Sequence, residues 1–561
     1  MTDVKRPGDA PRTRLKDRLD PVVFGVTGLI AIAFVVWGLV STAGLKKTAD
    51  TSQGWVIENT GWFFVLSASF FVIYVLWLAA SKYGRIPLGQ DDEGPEFKTV
   101  SWIAMMFSAG MGIGLMFFGV AEPLGHFASP PPGTAEAQSD AAVQTAMATT
   151  MFHWALHPWA IYAVVGIAIA YGTFRKGRSQ LVSSVFWPLL GRRSEGAFGR
   201  VIDILAIFAT LFGSAASLGL GALQIGGGLE HNGWVDSVGS TALVAIIVVL
   251  TIAFIASAVS GIEKGIQWLS NTNMVLALVL AVFVFVVGPT LLILNLLPTA
   301  LGDYADQMTE MVSRTNASGG DEMAAWLSSW TIFYWAWWVS WTPFVGMFIA
   351  RISRGRTIRE FVTGVLLVPS LVSLVWFAVF GGSAIAQQRK TGDLVASDGT
   401  VNSNNALFDL LSHYPIASVT TVLVMVLVAI FFVSGADAAS IVMGTLSEKG
   451  STEPSKPTVI FWGALTGAVA AIMLVIGGDE ALSGLQNITI VAGLPFVVVM
   501  VAICISLYKD LQTDPVVVRH RLSVEVVEEA VTTGVTEHDG DFVLVVEPAE
   551  PDPDDHEKKT S

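Results

Sequence analysis

Charge is what this chain has least of. Of its 561 residues, 14% are Asp, Glu, Lys or Arg, against about 25% in a soluble globular domain. That deficit excludes an ordinary water-soluble enzyme and a disordered protein. Basic residues are the rarer sign, 32 against 46 acidic for a net charge of −14. A nucleic-acid partner, which needs a basic face, is thereby excluded. Cysteine is nearly absent. Cys504 stands alone, so no internal disulfide and no cysteine-based metal site can form. The polar stretches hold no P-loop, GxSxG elbow, zinc signature or paired catalytic carboxylates. The missing P-loop argues against an ATP-driven pump.

What fills the chain instead is apolar: 53% hydrophobic residues and a mean hydropathy of +0.61. A membrane helix needs about 20 mostly apolar residues, and twelve stretches qualify. They are 22–41, 61–80, 101–124, 145–173, 201–229, 241–260, 274–298, 327–350, 361–386, 416–444, 459–477 and 484–508. Period-two alternation is missing, which rules out an outer-membrane barrel. The first apolar run is long and has no clear cleavage site, so no signal peptide is expected. With the N-terminus in the cytosol, inside segments carry 27 Lys and Arg (Lys264 among them), and outside segments only Lys46, Lys47, Arg314, Arg389 and Lys390. That bias predicts twelve spans with both termini cytosolic. Residues 299–326 read as an extracellular, partly helical amphipathic connector. The 508–561 tail carries −9 of the net charge, and its VEVVEEAV and DFVLVVEP stretches are expected to pair as short strands. Its last dozen residues read as disordered. The tail is either a regulatory element or a solubilising one.

Function in such a chain lies where the apolar helix is interrupted. In span 3, SAGMGIGLMFFGVAEP, Gly110, Gly112, Gly114 and Gly119 crowd one helix. Glycines serve close helix packing, but alternate glycines cost helix stability and point to an unwound segment. Broken helices at mid-membrane are where secondary transporters bind substrate. Span 8 holds six of the 18 tryptophans between Trp326 and Trp341. Trp330, Tyr334, Trp337, Trp341 and Phe344 share one face, with Trp338 beside Tyr334. The stripe is either a packing face or a cation–π cage for a quaternary ammonium group. Span 4, FHWALHPWAIY, adds Trp154, Trp159 and Tyr162 around Pro158, which breaks the hydrogen-bond ladder. His153 and His157 have metal spacing but no visible third ligand, and read as structural. Span 5 places Asp203, Thr210, Ser214 and Ser217 on one face. The hydroxyls either bond back to their own carbonyls or ligate sodium. Span 10 adds Ser434 and the intramembrane Asp437, a functional candidate or a carboxylate bonded to nearby backbone.

Together with the span 8 signature WTIFYWAWWVSWTPFVGMFIARISRGRTIREF and the span 10 motif FFVSGADAAS, these segments resemble the betaine/choline/carnitine transporter family. The likeness runs from about residue 20 to 510 and looks nearest to its sodium-coupled glycine betaine members. It implies an all-α membrane protein with a LeuT-like core of two inverted five-helix repeats. The arm would be 1–20, the peripheral spans 21–100, the first repeat 101–298, the connector 299–326, the second repeat 327–508 and the tail 509–561. It also implies a homotrimer in the bacterial cytoplasmic membrane, working by alternating access and with no cofactor but sodium. Its aromatic box falls on Trp154, Trp159, Tyr162 and Trp338, with Trp337 and Trp341 lining the path. The unwound stretch Ala109, Gly110, Met111, Gly112 to Gly114 would face the substrate carboxylate. One sodium site would use Thr210, Ser214 and Phe344, the other Ser108, Met111, Phe431 and Ser434. Gly435 stands where sodium-coupled relatives usually carry a serine. The acidic tail differs from the basic helix of osmosensing members. Choline carriers of the family often place Asp at the position of Gly114, so a substrate with its own carboxylate is implied. The expectation is a sodium-coupled importer of a zwitterionic solute, glycine betaine first. Choline, carnitine, ectoine or proline carried with sodium or protons is the alternative, with Asp437 or Asp203 as proton carriers. A membrane-embedded enzyme and a channel are the remote readings, disfavoured by the lack of a polar catalytic cluster and of a charged pore ring.

Overall fold

Long apolar runs bounded by caps give helices, and the chain uses little else. A computed structural model describes residues 18–110, 112–260 and 263–545, without the side chains of 107–110, 259–270 and 479. The helices are α1 (Pro21–Val40), α2 (Thr42–Ala80), α3 (Thr99–Gly110), α4 (Ile113–Ala128), α5 (Asp140–Trp154), α6 (Leu156–Ala170), α7 (Ala197–His231), α8 (Ser240–Ser260) and α9 (Glu263–Val287). They continue as α10 (Thr290–Asp306), α11 (Asn316–Ser329), α12 (Thr331–Ile352), α13 (Ile358–Thr391), α14 (Ala417–Ser447), α15 (Lys456–Gly477), α16 (Ala481–Gln512) and α17 (Pro515–His538). Local chemistry sets the ends. Asp20 caps α1 by accepting from the Val22 and Val23 N–H groups, with Pro21 opening the helix. Thr357 and Glu360 form a reciprocal capping box on α13, which stops at Gly392 in the left-handed region.

The molecule is an all-α, multi-pass membrane protein. Each of the twelve expected ranges falls mostly on helix among the described residues. Among these, nine helices are long and apolar enough to cross a membrane, and α9 and α10 pass that test only taken together, across a 110° bend. The expected third and eighth spans fall outside that set for local reasons. α3 and α4 are 12 and 16 residues either side of a break, and α12 is dense in Trp, Tyr, Ser and Thr. Burial is uneven. The run Asp140–Arg175, α5 and α6, is 94% buried through its apolar window, and α8 only 17%. The first is a core element, and the second keeps its apolar surface for lipid.

Packing exchanges between two sets of five spans. α4 packs on α13, the second span of the other set, as α12 packs on α6. α7 packs on α14 and α8 on α15, each with its counterpart, and the α7–α15 contact is matched by α8–α14. Each of these contacts has a counterpart with the two sets exchanged.

Loops expected on one side meet one another. Arg175 pairs with Asp91 and Arg354 with Glu93, each at 2.6 Å, and Leu88 N–H bonds the Arg356 carbonyl at 2.7 Å. Arg200 reaches Asp20, and Asp20 N–H bonds the Ser447 carbonyl. At the opposite end Asn487 meets Asp50 at 2.8 Å and Arg389 meets Asp140 at 2.6 Å.

The helix that carries span 2 extends beyond its expected range: α2 is one helix of 39 residues that starts at Thr42. Two expectations need correction. Span 7 does not run to 298. It ends at Val287, and the chain bends by 110° at Gly288–Pro289, because proline lacks the N–H and disfavours helix before it. α10 follows, burying Ile293, Leu296, Ala300 and Tyr304 along one stripe. The tail, residues 510–561, is a separate unit, and VEVVEEAV lies on α17 rather than on a strand. Asp514 caps that helix and Pro515 opens it. Of DFVLVVEP, residues 541–545 have no regular structure and the rest lies outside the described residues.

Candidate functional site

Both helix breaks flank one cavity. Gly112 is extended (φ −171°, ψ −177°) between α3 and α4. Ala155 leaves helical geometry between α5 and α6 (φ −106°, ψ −110°). Pro158 has no N–H for the Trp154 carbonyl four residues earlier, and Ser373 of α13 donates to that carbonyl instead at 3.0 Å. The His153 carbonyl accepts from the Trp338 indole at 3.0 Å. The break is therefore satisfied from two neighbouring helices.

The cavity is tight, about 50 Å³. Six aromatic side chains line it: Trp154, Trp159, Tyr162, Trp337, Trp338 and Trp341. Gly112, Gly114, Leu115, Pro158, Val345 and Ser373 complete the wall. None of these side chains is charged. Trp337 and Trp338 stack at 4.6 Å, and Trp154 meets Trp338 edge-on at 4.9 Å. Trp159 meets Tyr162 edge-on at 5.4 Å. Gly114 is required by close approach: a Cβ there would lie 2.8 Å from the Cη2 atoms of Trp154 and Trp337.

A second, adjoining cavity of about 200 Å³ shares Gly112, Trp341 and Val345 with the first. Ser214, Ser217, Phe344, Phe431, Ser434, Gly435 and Asn273 are on its wall. Thr210 is not on that wall. It is buried in α7 with its hydroxyl donating to the Ala206 carbonyl at 2.9 Å. Its convergence with Ser214 on one ion is thus not seen. The Ser434 hydroxyl bonds back to the Ile430 carbonyl at 2.9 Å. Met111 lies outside the described residues, as do the side chains of Ser108, Ala109 and Lys264; Gly110 is the last residue of α3.

Asp203 belongs elsewhere. It accepts from the Ser183 N–H and hydroxyl at 3.0 and 2.7 Å and lines a separate cavity with Lys176 and Arg200. It therefore leaves the hydroxyl face assigned to ions. Asp437 is buried on α14.

The two histidines read as structural do not act as a pair. His157 stacks on Trp335 and does not join His153. The group that converges is Glu122, His126 and His153, with ligand atoms within 4.8 Å of one another. Glu122 is the residue that the sequence reading passed over. It is fully buried on α4 and accepts from the Trp154 indole at 2.6 Å and from the Tyr334 hydroxyl. Its other oxygen meets His153 Nδ1 at 2.6 Å. The signal was present: an ionisable residue in an apolar span is a functional candidate by default.

Comparison with known proteins decides the family. The model of the betaine/carnitine/choline family transporters matches residues 22–516. The chain belongs to that family. It is 46% identical over 96% of its length to the betaine/ectoine transporter LcoP of Corynebacterium glutamicum, of which 85% is covered. It is 45% identical over 88% of its length to the glycine betaine transporter OpuD of Bacillus subtilis, with 94% of that protein covered. A glycine betaine/proline/choline/ectoine transporter of Vibrio parahaemolyticus is 40% identical over 88% of the chain and 87% of the relative. Among solved structures, a substrate-bound outward-open Na+-coupled sialic acid symporter matches 78% of the chain and 85% of its own, at 13% identity and TM-score 0.41. A likeness that loose carries no argument about fold or coupling ion. The family consists of membrane transporters, so the protein is a transporter and not an enzyme.

Proposed function

We propose that the protein imports glycine betaine by sodium symport. The observation that carries this reading is the charge-free cavity walled by Trp154, Trp159, Tyr162, Trp337, Trp338 and Trp341. Such a wall favours a quaternary ammonium group, whose charge is spread over methyl groups and attracted by ring faces. A solute that carries its own carboxylate needs no acidic residue in the wall. Gly112 to Gly114, where α4 starts, supply backbone N–H groups and a helix N-terminus for that carboxylate. The adjoining cavity, with Ser214, Ser434, Phe344 and Phe431, is the reading's sodium path, Thr210 standing behind it. Ser108 and Met111 would complete the second ion site. Access alternates between the two faces of a LeuT-like core. Both termini are cytosolic in a bacterial cytoplasmic membrane, and three copies assemble. The trimer rests on the family, and a native mass measurement in detergent checks it.

Ectoine is the second solute, favoured by the likeness to LcoP, a betaine/ectoine transporter. Trp338→Ala tests the cage. Loss of one desolvated cation–π face costs about 2 kcal/mol, or about 30-fold in affinity. Trp338→Phe should lose less. A Trp338→Ala variant that binds betaine like the parent contradicts the placement of the cage. Competition of labelled betaine by choline, carnitine, ectoine and proline ranks the solutes in the same assay.

A further inference from the structure

A charge-free cage gives a cation only the quadrupole of its rings. A carboxyl group stands one ring behind the wall. Glu122 is 0% exposed. One of its carboxylate oxygens takes both the Trp154 Nε1–H, at 2.6 Å, and the Tyr334 hydroxyl. The other faces His153 Nδ1 at 2.6 Å and His126 Nε2 at 3.5 Å. The Thr331 hydroxyl sits 2.9 Å from His153 Nε2; donating there, it leaves Nδ1–H to donate to Glu122. Three donors then converge on one carboxyl group, the surroundings that suit an acceptor-only, ionised carboxylate.

We infer that Glu122 is a specificity-determining residue: from behind the ring it fixes the Trp154 indole and supplies the negative charge that makes the cage prefer a quaternary ammonium to its uncharged isostere. Two effects act in one direction. The indole N–H bond to a carboxylate pushes electron density into the ring and deepens its negative face. The carboxylate also attracts the ligand cation directly across a low-dielectric gap, where charge is poorly screened. The bond further sets the ring's orientation, because Trp154 meets Trp338 edge-on at 75° and leaves no room for a side chain on Gly114. Glu122 does not line the cavity, so it acts through Trp154. This inference rests on the betaine reading above.

The test compares two ligands by calorimetric titration of the purified full chain. One is glycine betaine. The other is tert-butylacetate, which has carbon in place of the quaternary nitrogen and keeps the carboxylate. Glu122→Gln retains the size and one acceptor oxygen but removes the charge. It should weaken betaine about tenfold, a fraction of the cage's cation–π attraction, and leave tert-butylacetate unchanged. A merely structural role would weaken both ligands alike, and that result overturns the inference. If Glu122→Gln does not fold, Trp154→Phe carries the test. It keeps a ring and removes the indole donor, so the betaine preference must fall, and a parental ratio overturns the inference. A parent chain that binds neither ligand overturns the betaine reading and this inference with it. A parent that prefers betaine, with a Glu122→Gln variant that keeps the preference, overturns this inference alone.

Discussion

Two glycines on the proposed path are surrounded in opposite ways. Gly435 lines the larger cavity, and a Cβ placed on it meets nothing within 4 Å. Gly435→Ser therefore fits, and adds a hard oxygen ligand beside Ser434. It should lower the sodium concentration for half-maximal uptake, and an unchanged sodium dependence would count against an ion site there. Gly114 has no such room. Its Cβ would fall 2.8 Å from both Trp154 and Trp337. The family resemblance suggests Gly114→Asp as a route to choline, but in this packing the variant must displace two cage rings. Betaine affinity should fall without a gain for choline. A gain in choline uptake would show that the rings yield. The aromatic residues were legible in the sequence because short motifs concentrate them. Glu122 was legible only as an ionisable residue in an apolar span; its role depends on Trp154 and Tyr334, which reach it from 32 and 212 residues away.

Helix breaks are repaired by hydroxyls on this scaffold. Pro158 orphans the Trp154 carbonyl, and Ser373 satisfies it. Pro343 orphans the Val339 carbonyl, and Thr342 next to it donates at 2.7 Å. Ser373→Ala should cost about 1 kcal/mol, since membrane hydrogen bonds are worth little more. It should also weaken betaine binding, because Trp154 loses its backbone anchor. A thermal midpoint and affinity both equal to the parent's would contradict that role. The helices were legible from long apolar runs, and the breaks at Gly112 and Pro158 from glycine and proline. The bend at Gly288–Pro289 was hidden because apolar residues continue on both sides of it. The tail misled through its valines: β-branched composition outweighed the Asp514–Pro515 cap, which is the stronger local signal. Ion ligands were least legible, because equal spacing on α7 puts Ser214 on the cavity wall and leaves Thr210 behind it.

At the scale of the whole molecule, sidedness and transport are the open tests. Cys504, the chain's single cysteine, is buried, so introduced cysteines report cleanly. An impermeant maleimide should label Lys390→Cys in intact cells and reach Arg192→Cys only after lysis; the reverse would invert the assigned orientation. The central claim is sodium-coupled uptake of betaine, and proteoliposomes test it most directly. Purified protein is reconstituted, and accumulation of labelled glycine betaine is followed under an inward sodium gradient, an inward proton gradient without sodium, or neither. Inward movement of each net positive charge gains about 2.3 kcal/mol per 100 mV, so a negative-inside potential should raise the sodium-driven signal further. The expected result is concentrative uptake with sodium alone, lost on Trp338→Ala. Uptake that persists without sodium and follows the proton gradient would contradict the claim, and would move attention to Asp437.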